Sequence, residues 1–132
     1  MSEENVEIVR RDISARKARD WSGVEEIWHP DIELQLVRGS GTYRGAEEMT
    51  RFFDGLSDLY SEYRVEADEI IETPDQVVTV ERVAGRGLKG SKSANWVEEP
   101  LFRLWTFKDG KVWRITEYPT RAQALEAAGL SE

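Results

Sequence analysis

The stretch LFRLWTFKDGKVWRITEYPT, residues 101–120, decides how this chain is read. Two apolar runs flank Lys108-Asp109-Gly110-Lys111, a pattern that predicts a β-hairpin. Two registers compete. A two-residue Asp109-Gly110 loop pairs Phe107 with Val112 and puts Trp105 opposite Arg114. A three-residue loop, with Gly110 left-handed in a G1 bulge, pairs Phe107 with Lys111. That second register is the expected one, because it sets Trp105 across from Trp113 and Arg103 across from Ile115. It gathers Leu101, Arg103, Trp105, Phe107, Trp113, Ile115 and Glu117 on one face, with Glu117 diagonally beside Arg103. Phe102, Leu104, Thr106, Val112, Arg114 and Thr116 take the other. An arginine and a glutamate thus share the more aromatic face, the one expected to lie under helices.

Upstream of the hairpin the sequence alternates with period two over residues 63–72 and 76–85, and a long strand is expected over residues 95–107. Earlier still the period is helical. Residues 3–19 form one apolar face, with acids early and bases late as the macrodipole prefers. Asp20 is placed to cap a short second helix over WSGVEEIW, ended before Pro30. DIELQLV, residues 31–37, reads as a strand, and Met49, Phe52, Phe53, Leu56 and Leu59 give the apolar side of a third helix. Pro119 stops the last strand, and TRAQALEAAGL predicts a terminal helix. Helices first and an antiparallel meander afterwards make an α+β fold.

Composition narrows the function. The chain has 132 residues, one domain by length, with 39% hydrophobic and 33% charged residues. A net charge of −8 sets its field against nucleic acid. With no cysteine and one histidine, neither a thiolate nor a multi-histidine metal site can be built, and no cofactor is expected. No apolar run is long enough for a membrane span, and the acidic start MSEENVEIVRR lacks the apolar stretch of a signal peptide. A cytoplasmic location without a membrane partner is the expectation.

The order of motifs carries a resemblance. His29-Pro30-Asp31, Tyr43-Arg44-Gly45, and Phe107-x-Asp109-Gly110-Lys111-Val112 with Glu117-Tyr118 stand in the order seen in the SnoaL-like branch of the NTF2-like superfamily. From Val6 to Leu130 the chain resembles that family. The resemblance implies a cone, in which helices pack into a strongly curved antiparallel sheet around an apolar pocket. It also implies a homodimer, with the outer sheet face bearing Phe102 and Leu104 as the expected contact. Members include polyketide cyclases, steroid isomerases, epoxide hydrolases, dehydratases and non-catalytic binding modules, so the fold leaves the function open.

Carried over position by position, the resemblance mostly subtracts. The three steroid-isomerase roles fall on Leu36, Asp12 and Arg103, none of which is the required group. The dehydratase pattern needs two histidines. The epoxide-hydrolase pattern of two carboxylates bridged by arginine is echoed by Arg103 and Glu117, with Arg82 and Asp12 as further members.

The candidate acid–base pair is therefore Glu117 with Arg103, in a pocket expected to include Trp105, Trp113, Ile115, Arg82, Asp12, Leu36 and Phe53. A small hydrophobic molecule is the expected ligand, either of a cofactor-free acid–base enzyme or of a binding module. Arg82 faces the pocket only if Val78, Val80 and Ala84 do; otherwise Glu81 takes its place. His29 is read as a cap for helix-end carbonyls. Trp21, Trp28, Phe52 and Phe53 are read as core. Residues 85–90 spell GxGxxG, but SKSANWVEEP then leads into another strand instead of a helix. The dinucleotide reading therefore fails, and a hairpin connection explains the glycines. Arg86, Lys89 and Lys92 make that connection basic.

Overall fold

In the computed structural model, which describes residues 2–37, 41–88 and 95–130, a helix pair leads and four consecutive strands follow the third helix, as expected. The order is α1 (Ser2–Ala18), α2 (Trp21–Val24), β1 (Trp28–Gln35), β2 (Thr42–Arg44), α3 (Gly45–Asp58), β3 (Tyr60–Glu72), β4 (Gln76–Leu88), β5 (Val97–Lys108), β6 (Lys111–Tyr118) and α4 (Arg121–Ala127). The strands form one curved sheet in the order β2-β1-β6-β5-β4-β3. Pairing is antiparallel except between β1 and β6, which run parallel.

The second helix is shorter than expected. It ends at Val24, and Trp28 already begins β1. Trp28, Ile32 and Leu34 are buried, so this segment follows the strand period rather than the helical one. Pro30 is accommodated because the β1–β6 ladder shifts register between Trp28 and Glu33, where no paired amide is required of it. The Asp20 side chain makes no cap bond and accepts one from Ser22 Oγ instead. At α4 the cap is made, with Thr120 Oγ1 accepting from the Gln123 amide at 3.1 Å.

The 101–120 hairpin starts in the two-residue register and shifts beyond a bulge to a third, so the expected pairing of Trp105 with Trp113 and of Arg103 with Ile115 is not formed. Asp109 and Gly110 both take positive φ, 54° and 75°, as a two-residue type I′ turn demands. Phe107 therefore pairs with Val112, not Lys111. Between Thr106 and Phe107 the ladder shifts by one residue, leaving Trp113 unpaired in a bulge. Beyond the bulge Trp105 faces Ile115, and Arg103 faces Glu117 directly rather than diagonally. Val112 consequently turns inward and Trp113 does not join the core; its ring lies against Lys108 and Arg114.

The main core lies between the sheet and α1 and α3, and contains Val9, Ile13, Met49, Phe53, Val77 and Trp105. A smaller cluster of Val78, Leu104, Ala124 and Leu125 lies on the outer face, where α4 packs. Leu104 is thus covered by the chain's own helix, which corrects its assignment to a dimer surface. The first four residues of the glycine motif, Gly85, Arg86, Gly87 and Leu88, are the end of β4; Lys89, Gly90 and Lys92 lie outside the described residues.

Candidate functional site

The inward residues of β4 and β5 hold a chain of alternating charges in the core. Asp12, on α1, accepts from Trp28 Nε1 and from Arg16 Nε, the latter at 2.6 Å. Arg16 lies one helical turn further on, so its side chain returns to the same face. Its Nη2 reaches Glu81 Oε1 at 3.3 Å, and Arg103 Nη1 reaches the same oxygen at 3.1 Å. Arg103 Nε and Nη2 then close on Glu117 Oε2 at 3.1 and 2.8 Å. Glu81 Oε2 accepts from Thr79 Oγ1, which in turn accepts from Trp105 Nε1. No buried side-chain polar atom among the described residues lacks a partner, so the cost of burying these charges is met by ion pairing and hydrogen bonds.

At one end this chain opens into a pocket of about 250 Å³. Leu36 and Val37 after β1, Phe52 and Leu56 on α3, Tyr60 and Tyr63 on β3, Val83 to Gly85 on β4, and the adjoining parts of β5 and β6 line it. Arg103 and Glu117 are among the lining residues. Glu117 is the outermost member of the chain, with its side chain 10% exposed against 4% for Arg103 and 0% for Glu81. Its Oε2 takes both bonds from Arg103, and Oε1 has no hydrogen bond among the described residues.

The electrostatics follow from burial and pairing. Burial opposes the charge on Arg103, but Glu81 and Glu117 outweigh it and raise its pKa further above the usual arginine value. Burial alone would raise the Glu81 pKa. The Arg103 and Arg16 guanidiniums, with hydrogen bonds from Thr79 and Arg16, more than offset that and hold it below the ordinary glutamate range. Burial raises the Tyr63 pKa above the ordinary tyrosine value, with Arg103 and Arg16 opposing.

Of the residues expected at the site, Arg103, Glu117 and Leu36 line the pocket. Trp105, Ile115 and Phe53 pack in the core behind it, and Asp12 closes the far end of the ion chain. Trp113 is carried away by the bulge. Arg82 faces away from the pocket and pairs with Asp68 and Glu98. The alternation in β4 puts Val77, Thr79, Glu81 and Val83 inward, so Glu81 holds the place Arg82 was expected to share. His29 Nδ1 accepts from the Asp31 amide and Nε2 lies 3.4 Å from Asp109, so it caps no helix carbonyl. Arg86 pairs with Glu62 and lies against Trp96.

Arg16 was not among the expected residues, Glu81 stood there as the alternative to Arg82, and Tyr63 was not among them. The i, i+4 spacing of Asp12 and Arg16 and the Thr-x-Glu spacing on β4 are the signals that point to the first two. Tyr63 shares its strand face with Val65, which the alternation of β3 gives.

Fold and site together describe a small α+β cone of the NTF2-like class. The model of the SnoaL-like domain matches residues 9–115, and the chain belongs to that family. Three solved structures share the fold. An NTF2-like protein from Burkholderia xenovorans LB400 is 24% identical, with a TM-score of 0.75 over 97% of each chain. TerC co-crystallized with polyporic acid is 23% identical, with a TM-score of 0.74 over 87% of this chain and 90% of that one. A protein of ketosteroid isomerase-like fold from Catenulispora acidiphila DSM 44928, in complex with trimethylamine, is 16% identical, with a TM-score of 0.73 over 94% and 93%. At these identities the likeness is one of fold, and the molecules bound to the last two are chemically unlike. No curated protein matches the chain. No helix among the described residues is long and apolar enough to cross a membrane, and no group of histidine and acidic residues among them is placed to hold a metal ion.

Proposed function

We propose that the protein takes a small, largely apolar molecule into the pocket beside Arg103 and performs cofactor-free proton transfer on it. Glu117 is the acid–base group and Arg103 the cation that fixes it. The observation that carries this reading is the division of labour within Glu117. One oxygen is held twice by Arg103, while the other has no partner among the described residues and belongs to a side chain that lines the pocket. In this reading Oε1 removes a proton from carbon beside a carbonyl, and the Tyr63 hydroxyl donates to the oxygen where the electron pair collects. Return of the proton to another carbon completes an isomerisation. Cyclase or epoxide-opening chemistry would use the same two groups.

A second reading is a binding module. It is favoured by the double engagement of Arg103, which Glu81 and Glu117 already hold. Proton exchange into 2-tetralone in D₂O, monitored by NMR, separates the two. Acceleration by the wild type, reduced about 100-fold in Glu117→Gln, is the enzyme outcome. Binding without acceleration is the module outcome.

The reading also carries a homodimer, built beside α4 rather than on Leu104, and a cytoplasmic location. Light scattering of the purified protein checks the first, and a monomer at micromolar concentration would remove it.

A further inference from the structure

Resting on the proposed pocket function, we infer that the ligand's polar end is a cation, a protonated amine or quaternary ammonium attached to an apolar body. The ion chain has an odd number of members. Asp12, Glu81 and Glu117 carry three negative charges against two positive charges on Arg16 and Arg103, which leaves one negative charge unmatched among the described residues. All five side chains are at least nine-tenths buried, so water screens that surplus poorly. Within the chain Asp12 is engaged on both oxygens, by Arg16 and Trp28, and Glu81 on both, by Thr79 and the two arginines. Among the described residues only Glu117 in this chain keeps an oxygen without a bond, and it lines the pocket.

The walls suit the same ligand. Phe52, Tyr60, Tyr63, Phe102 and Tyr118 all contribute to the lining, and aromatic faces attract an organic cation. The cation on the lining that opposes this is Arg103, and it is matched by two carboxylates. A buried arginine with a single carboxylate would have made the same pocket receptive to a neutral or anionic oxygen. The second carboxylate, Glu81, reverses that preference. A positive centre beside Glu117 also acidifies neighbouring C–H bonds, which agrees with proton transfer there.

The test is calorimetric titration of the wild type with benzyltrimethylammonium, its neutral isostere neopentylbenzene, and benzoate. The expected result is a Kd about tenfold or more lower for the ammonium than for the isostere, with benzoate weakest. In Glu117→Gln the ammonium should lose about tenfold or more while the isostere is unchanged. Equal or tighter binding of neopentylbenzene or benzoate overturns the charge inference and leaves the pocket reading standing. Preference for the ammonium that survives in Glu117→Gln also overturns it, by removing Glu117 as its source. Failure of all three compounds to bind removes the pocket reading and the inference with it. The wild-type comparison stands by itself if the variant does not fold.

Discussion

Arg103 stands directly opposite Glu117 in the β5–β6 ladder and also reaches across to Glu81 on β4, so a single guanidinium joins carboxylates from the strands on either side of its own. The two partners differ in burial, and that difference sets what each substitution removes.

Replacing Arg103 with Met leaves Glu81 and Glu117 facing each other without their shared cation, and should cost about 3–5 kcal/mol. Glu117→Gln leaves Arg103 paired with Glu81 and keeps hydrogen-bonding shape at the pocket, so about 1 kcal/mol is expected. Denaturant melts measure both. A larger loss in Glu117→Gln than in Arg103→Met would mean that Glu117 serves the fold before the pocket.

The depressed pKa of Glu81 sets an acid limit. A carboxyl whose folded pKa lies below its unfolded value contributes stability that is complete above the unfolded value. That contribution is lost as pH falls through the folded one. Stability should therefore decline as pH drops below about 4.5, and Glu81→Gln should flatten the decline while lowering stability at neutral pH. Asp54 and Asp68 are depressed too, by Arg19 and Arg82, but they are surface pairs. Repeating the series in about 0.5 M salt suppresses their share and leaves that of Glu81. An unchanged slope in Glu81→Gln would count against this assignment.

Tyr63→Phe removes only a hydroxyl from the pocket wall. Stability should stay within about 1 kcal/mol of wild type. If Tyr63 donates to a developing oxyanion, exchange into 2-tetralone should slow about 100-fold while binding of neopentylbenzene is unaffected. Equal exchange rates would remove the donor role.

Gly85 is a packing residue at the pocket wall. A Cβ built there would lie 2.5 Å from Cδ1 of Tyr60, with two further ring carbons at 2.7 Å. Gly85→Ala should therefore push the Tyr60 ring aside, cost about 1–3 kcal/mol and weaken ligand binding. The double variant Gly85→Ala with Tyr60→Ala should recover part of that stability relative to Gly85→Ala alone. Strict additivity would show that ring and glycine are not coupled.

On the outer face Leu125 is 4% exposed against Val78 and Leu104. Leu125→Ala should cost about 2–4 kcal/mol by leaving a cavity under α4. A neutral result in thermal melts would mean that α4 does not hold the outer face in solution.

Much of the fold was determined by sequence alone, because its signals are local. The change from helical to two-residue period separates helices from sheet, Asp109-Gly110 fixes a turn, and Thr120 caps α4. Arg103 and Glu117 were also legible as charges on an apolar stripe, since strand alternation assigns faces without any tertiary information. Tertiary structure decided the rest. The bulge at Trp113 depends on which residue the core accepts, and burying Val112 rather than Trp113 reversed two side chains that alternation alone would have placed the other way. The choice between Glu81 and Arg82 had the same origin. β4 is apolar on both faces, because α4 covers one side and the main core the other, so its pattern could not say which face held the charge. Only the packed molecule brings Asp12, Arg16, Glu81, Arg103 and Glu117 into one line, since the attraction between buried charges depends on distances across strands and helices that lie far apart in the chain.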